Sequence, residues 1–213
     1  MKKDYINDIE GAERRFIDVS SGNIEIRADG EKTTVSGIAA VVNKRTSLGR
    51  WDEMIMPGAF SDVLNNDVRA LFNHDPNFIL ARSVNGKGTL KLGIDAVGNL
   101  TYQYETPKRS WALDVLDAIN SGDISQSSFA FRVKEQSWEF APEGTKENDL
   151  RKILKIEQLY DVAPVTYPAY PDASVGARSL EAVKKELEEA ERPHFNLNLR
   201  KRKLQLIKST TTC

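Results

Sequence analysis

Between about residue 16 and residue 173 the chain alternates apolar and polar positions in short runs broken by turn residues, the period of half-buried strands. In "NIEIRADGEKTTVSGIAAVVN" two such runs flank Asp29–Gly30, a dipeptide suited to a tight hairpin turn. "GTLKLGIDAVGNLTYQYET" repeats the arrangement around Gly98–Asn99, and further strands are predicted over 67–73, 128–139 and 151–166. Two stretches change to helical spacing. One follows Pro57 and includes "AFSDVLN". The other, "SWALDVLDAIN", puts Ala112, Val115, Leu116 and Ile119 on one stripe, with Ser110 placed to cap its start and Gly122 to stop it. The pattern predicts a mainly β (α+β) domain of six or more antiparallel strands with a few helices. A barrel is expected, because closure removes exposed strand edges.

The pattern changes after Pro171. "SLEAVKKELEEAE", residues 179–191, reads as a charged helix with Leu180, Val183 and Leu187 as its apolar positions, and Pro193 stops it. A basic segment over 199–208 and a short Ser/Thr end follow, most simply a solvated helix and terminus. The expected organisation is an arm over 1–15, a β domain over 16–175 and a tail over 176–213.

Composition adds mainly exclusions. At 29% charged residues, 40% hydrophobic residues and a net charge of −1, nothing global points to nucleic acid or a membrane as partner. No apolar run approaches the roughly 20 residues that a membrane-spanning helix needs. "MKKDYINDIEGAERR" lacks the apolar stretch of a secretory signal, and Cys213, the single cysteine, permits no internal disulfide, so a reducing cytoplasmic setting is expected. Two histidines and one cysteine leave few zinc ligands, and no phosphate-binding glycine loop is present, so no cofactor or metal is expected.

Acyl-transfer chemistry remains open, and it needs a nucleophile, a base and a group that orients the base. In the body of the chain the base can only be His74, in "LFNHDPNFILAR"; His194 lies in the tail. In "SGDISQSSFAFRV" strand parity puts Ser127 with Phe129, Phe131 and Val133, and Ser128 on the opposite face with Ala130 and Arg132, where a substrate is expected to approach. In 153–165, Leu154, Ile156, Tyr160 and Val162 fall on one face and Lys155, Glu157 and Asp161 on the other. Asp161 stands in an otherwise apolar stretch, where a carboxylate must find a partner or water; Glu157 is the second choice of acid. Each residue also has an ordinary structural reading, as a hydrogen-bonded histidine at a strand end, a small strand residue and an edge-strand acid.

Five segments, "DEMIMPGAFSDVL", "LFNHDPNFILAR", "GTLKLGIDAVGNLTY", "DVLDAINSGDISQSSFAFRV" and "LYDVAPVTYPAYPDA", stand in the order and spacing of the tailed-phage (caudoviral) prohead, or capsid maturation, serine protease family. The chain resembles that family over about residues 16–175. The resemblance implies a β-barrel like that of the herpesvirus assemblins, with His74, Ser128 and Asp161 as the catalytic residues. Ala130 and Ala81 stand where the family often has glycine, each a change of one methyl group. The implied activity is that of a serine endopeptidase cleaving scaffold, or the scaffold-like part of the major capsid protein, and itself, inside the assembling prohead in the host bacterial cytoplasm. A homodimer is implied by analogy with the assemblins. The competing reading is a non-catalytic capsid-assembly or scaffold-associated structural protein of the same fold.

On this reading the tail serves encapsidation and is removed by self-cleavage. Deletion of 176–213 is expected to leave peptidase activity intact while lowering the amount of protein incorporated into proheads, scored by gel analysis of purified particles; unchanged incorporation refutes the role.

Overall fold

The alternating runs form strands and the longer striped segment a helix in the computed structural model, which describes residues 11–17, 24–30, 32–142, 144–167 and 180–185. In chain order the described elements are β1 (Ala12–Ile17), β2 (Ile24–Asp29), β3 (Lys32–Ala40), β4 (Thr46–Ser47), β5 (Asp52–Ile55), β6 (Val68–Leu71) and β7 (Ile79–Val84). There follow β8 (Lys87–Gly88), β9 (Leu90–Ile94), β10 (Leu100–Glu105), α1 (Ser110–Asn120), β11 (Gln126–Glu139) and β12 (Leu150–Val165). The chain divides into two compact units, Met1–Asp172 and Ala173–Cys213. Of the second, residues 180–185 are described and are helical; the rest of the predicted 179–191 helix and the basic 199–208 segment lie outside the described residues. Among the described residues the protein is therefore mainly β with two helices.

One sheet has the order β1-β11-β12-β6-β7-β8, with β5 also on β12 and β4 on β5; the other runs β2-β3-β10-β9. No closed barrel is found among the described residues. Nor is the first sheet wholly antiparallel, because β5 and β6 both run parallel to β12. The reason lies in the segment between them. β5 pairs with Leu150–Ile153, and β6 pairs with Asp161 and Val162 farther along the same strand. Between these points Met56 N–H donates to the Ile153 carbonyl, Ile156 N–H to the Ala59 carbonyl and Leu159 N–H to Asn66 Oδ1. β5, residues 56–66 and β6 thus act as one interrupted neighbour of β12.

That duty replaces the helix expected after Pro57 with successive turns, closed by i+3 bonds from Ala59 to Met56, Ser61 to Gly58, Val63 to Phe60 and Asn66 to Val63. Phe60 and Val63, three residues apart, still reach the core. In α1 the stripe residues Ala112, Val115 and Ile119 are buried, and Gly122, at φ +85°, makes the left-handed turn that ends it. Ser110 is the first helical residue rather than the cap; Arg109 holds the cap position, and its side chain makes no capping bond but donates to the Ile79 carbonyl.

The core lies between the sheets. Val35, Leu90, Leu100, Tyr102 and Tyr104 come from the smaller sheet, and Phe129, Phe131, Ile153, Ile156, Leu159 and Val162 from the larger. Phe129 stacks on Phe131 with ring centroids 4.7 Å apart and meets Phe60 edge-on at 5.8 Å. Tyr102 lies opposite Gly37 on β3, where an added Cβ would stand 2.7 Å from the ring. Its hydroxyl shares a 2.8 Å hydrogen bond with Ser127 Oγ on β11, a direct polar tie between the sheets.

Burial pushes the Tyr102 phenol up to about 12, against the lowering effect of the Ser127 bond. The folded pKa is thus above the unfolded value, so the contribution to stability is complete below pH 10 and is lost as pH rises through about 12. Unfolding free energies measured in urea are expected to fall by about 2–3 kcal/mol from this group over that window. Tyr102→Phe removes that part of the alkaline slope.

Candidate active site

His74 owes its position to an irregular turn. After β6 the chain passes through two consecutive residues of left-handed backbone, Asn73 at φ +53° and His74 at φ +56°. Asparagine tolerates this region well and histidine less so; a non-glycine residue there stores on the order of 1–3 kcal/mol. Neighbouring bonds hold the turn. Asn73 N–H donates to the Pro164 carbonyl at 3.1 Å, and Asn73 Oδ1 accepts from Thr166 N–H at 2.9 Å. Asp75 N–H donates to the Phe72 carbonyl, and the Asp75 carboxylate accepts from both the backbone and side-chain amides of Asn77. Phe78 N–H closes the loop on the Asp75 carbonyl. In the Asn–His–Asp triplet, then, the flanking residues fasten the turn and the central one projects the imidazole.

The imidazole points into the larger sheet between β11 and β12. Nδ1 lies 2.6 Å from Asp161 Oδ1, and Nε2 lies 2.6 Å from Ser128 Oγ. All three residues are buried, His74 at 6%, Ser128 at 0% and Asp161 at 1% exposure. Register explains the convergence. Ser128 is opposite Ala163 and Ala130 is opposite Asp161, so Ser128 and Asp161 share one face of adjacent strands. Asp161 Oδ2 has no hydrogen-bond partner among the described residues. With Asp161 ionised, Nδ1 carries the proton that the carboxylate accepts, and a neutral imidazole turns the Nε2 lone pair toward the serine hydroxyl.

Glu157, the second choice of acid, lies elsewhere: it is exposed and accepts a 2.7 Å bond from Arg132 Nε. The simple alternation predicted along 153–165 fails for the same structural reason. A register shift between Ala130 and Phe131 moves the partner from Asp161 to Leu159 and skips Tyr160. Leu159 is buried, whereas Leu154 is 36% exposed and Tyr160 half-buried. His194 and Cys213 lie outside the described residues.

Ser128, on the face where a substrate is expected to approach, is covered by a neighbouring strand. Residues 12–15, predicted as part of an arm, belong to β1, which pairs antiparallel with β11 and sets Arg15 opposite Phe129 and Phe16 opposite Ser128. The Ser128 hydroxyl lies 2.9 Å from the Arg15 carbonyl oxygen and can donate to it. β1 also completes a buried ionic cluster that sequence reasoning missed. Arg15 donates from Nε and Nη2 to the two oxygens of Glu53, at 2.6 and 2.8 Å, and from Nη2 to Glu13 at 2.5 Å. Arg151 donates from Nη1 and Nη2 to the two oxygens of Glu13, at 2.6 and 2.8 Å, and from Nη1 to Glu53 at 2.9 Å. Burial alone would raise the Glu13 carboxyl, but hydrogen bonding and charge from Arg151 and Arg15 outweigh it and hold the group below its usual range. The available sequence signal was two charges at strand spacing, Glu13 and Arg15; Glu53, next to Asp52, and Arg151, next to Lys152, stand in charged stretches and gave none.

A hydroxyl, an imidazole and a carboxylate in one hydrogen-bonded line is the arrangement that acyl-transfer hydrolases use on many folds. Residues 22–186 match the family model of the caudovirus prohead serine protease, and the chain belongs to that family. It is similar to the prohead protease of Enterobacteria phage HK97, with 27% identity over 157 residues, covering 72% of this chain and 64% of that protein. The chain thus spans under two thirds of that relative's length. No solved structure matches it.

Asn73→Ala removes the bonds to Thr166 and leaves a left-handed alanine, so chemical denaturation is expected to show a loss of about 1–3 kcal/mol. Asn73→Gly, which relieves the backbone but not the lost bonds, is expected to recover part of it. Equal losses in the two variants would show that the backbone conformation carries none of the effect.

Proposed function

We propose that the chain is a serine endopeptidase of phage capsid maturation, acting inside the assembling prohead in the host cytoplasm. Its substrates are scaffold, or the scaffold-like part of the major capsid protein, and the chain itself. The observation that carries this reading is His74 lying 2.6 Å from both Ser128 Oγ and Asp161 Oδ1 in a member of the prohead protease family. The similarity to the prohead protease of phage HK97 supports it.

In this mechanism Ser128 Oγ attacks the scissile carbonyl carbon while its proton passes to His74 Nε2. The resulting imidazolium keeps its Nδ1–H on Asp161, whose negative charge stabilises it. His74 then returns the proton to the departing amide nitrogen, the C–N bond breaks and an acyl ester remains on Ser128. Water enters, gives a proton to Nε2 and attacks the ester; Ser128 regains its proton as the acid product leaves.

The test is the intact mass of the purified chain over time. Truncation of the parent is expected, with Ser128→Ala and His74→Ala slower by about 10⁴-fold or more. Asp161→Asn, which withdraws the acceptor fixing the His74 tautomer, is expected to cost about 10⁴-fold. Truncation of parent and variants at the same rate overturns the assignment.

A further inference from the structure

We propose that β1 occupies the slot in which the peptide to be cut binds, and that Glu53 and Arg151 select a peptide with a basic residue whose carbonyl meets Ser128 and an acidic residue two positions before it. This rests on the peptidase reading above and adds the direction, register and charge of the bound strand.

The backbone supplies the first argument. A substrate must bring a carbonyl to the nucleophile, and among the described residues the carbonyl that meets the Ser128 hydroxyl is that of Arg15, at 2.9 Å. It is delivered by an edge strand pairing antiparallel with β11, the way an extended peptide adds to a sheet edge. Ser128 has one hydroxyl proton and two acceptors for it, the Arg15 carbonyl and His74 Nε2. While β1 is seated, it covers the serine and competes for that proton.

The side chains supply the second argument. Arg15 is gripped by both oxygens of Glu53, and Glu13, two residues earlier, is gripped by both outer nitrogens of Arg151. Paired forks of this kind discriminate shape as well as charge. Removing one member of a buried charge set normally strands its partner at a high cost. Here each half is neutral by itself: Glu13 and Arg15 leave together, already joined at 2.5 Å, and Glu53 and Arg151 remain joined at 2.9 Å. The occupant can therefore be exchanged without leaving an uncompensated buried charge. The family match begins at residue 22, so it takes in β5, β11 and β12, which wall the slot, and excludes β1, which fills it.

The experiment has two arms on the full chain. In the first, labelling of Ser128 by a fluorophosphonate is timed in the parent and in the double variant Glu13→Ala/Arg15→Ala. Loosening β1 is expected to speed labelling at least about tenfold by raising the open fraction; equal rates refute occupation of the slot. No labelling of either chain defeats the peptidase reading, and this inference with it. In the second, the parent is given a peptide copying residues 11–18, GAERRFID, with cleavage expected between its second arginine and the phenylalanine. Leucine in place of that arginine is expected to lower kcat/KM at least about 100-fold, because two buried carboxylates then share the single cation Arg151. Glu53→Gln is expected to abolish most of the preference, a ratio within one chain that does not depend on how much of it folds. If the label reacts but arginine and leucine peptides are cut alike, or neither is cut, the peptidase reading stands and the assigned slot is wrong.

Discussion

Ala130 lies opposite Asp161 in the pairing of β11 with β12, and the arrangement of the site depends on that register. It puts Ser128 and Asp161 on one face of neighbouring strands, within span of a single imidazole. A slip of one residue would turn either side chain to the opposite face. Ser127 helps to prevent the slip. Adjacent to Ser128 and pointing the other way, it bonds the Tyr102 hydroxyl of the second sheet, while Phe129 and Phe131 pack into the core on the same side. A shifted strand would bury hydroxyls without partners and lift two phenylalanines from the core, each a penalty of kcal/mol size. Core packing and sheet-to-sheet polar contact therefore fix the orientation of the nucleophile.

The imidazole arrives from the other direction. β6 runs parallel to β12 with Arg69 opposite Asp161, and the chain must turn back within a few residues to bring His74 over that same aspartate. Two left-handed residues make the reversal, and the bonds from Asn73 to Pro164 and Thr166 tie the turn to the end of β12 itself. The base is thus fastened to the strand that carries its acid. Backbone strain at the turn is offset by contacts a few residues away, and the His74–Asp161 distance does not rely on distant packing.

Local chemistry was the legible part of the sequence. The hairpins at Asp29–Gly30 and Gly98–Asn99 and the stop at Gly122 follow from short-range turn preferences, and all three occur. Parity over three residues put Ser127 and Ser128 on opposite faces, and their partners, Tyr102 and His74, do lie on opposite sides of β11. Parity failed over longer stretches of β12, where bulges reset it and exposed Leu154. What could not be read was non-local. The turns after Pro57 have helical spacing, yet the segment must run along β12 to link β5 with β6. Nothing near Glu13 or Arg15 indicates that Glu53 and Arg151, 38 and 138 residues away, will meet them. The burial of Ser128 follows from that same contact.

A protease that binds its substrate by strand addition faces conflicting demands on one edge. The edge of β11 must be open to accept a peptide, yet an open, well-formed edge invites unwanted pairing with other chains. On the proposed reading β1 meets both demands: seated, it completes the sheet and hides the serine; displaced, it takes its own charges along. An apolar occupant would hold as well but would read little of an incoming sequence, since an apolar pocket discriminates only weakly between similar side chains. Two interlocked pairs, Arg15 with Glu53 and Glu13 with Arg151, make the slot both a lock and a filter. A strand bearing other charges at those positions would leave Glu53 or Arg151 buried against the wrong partner.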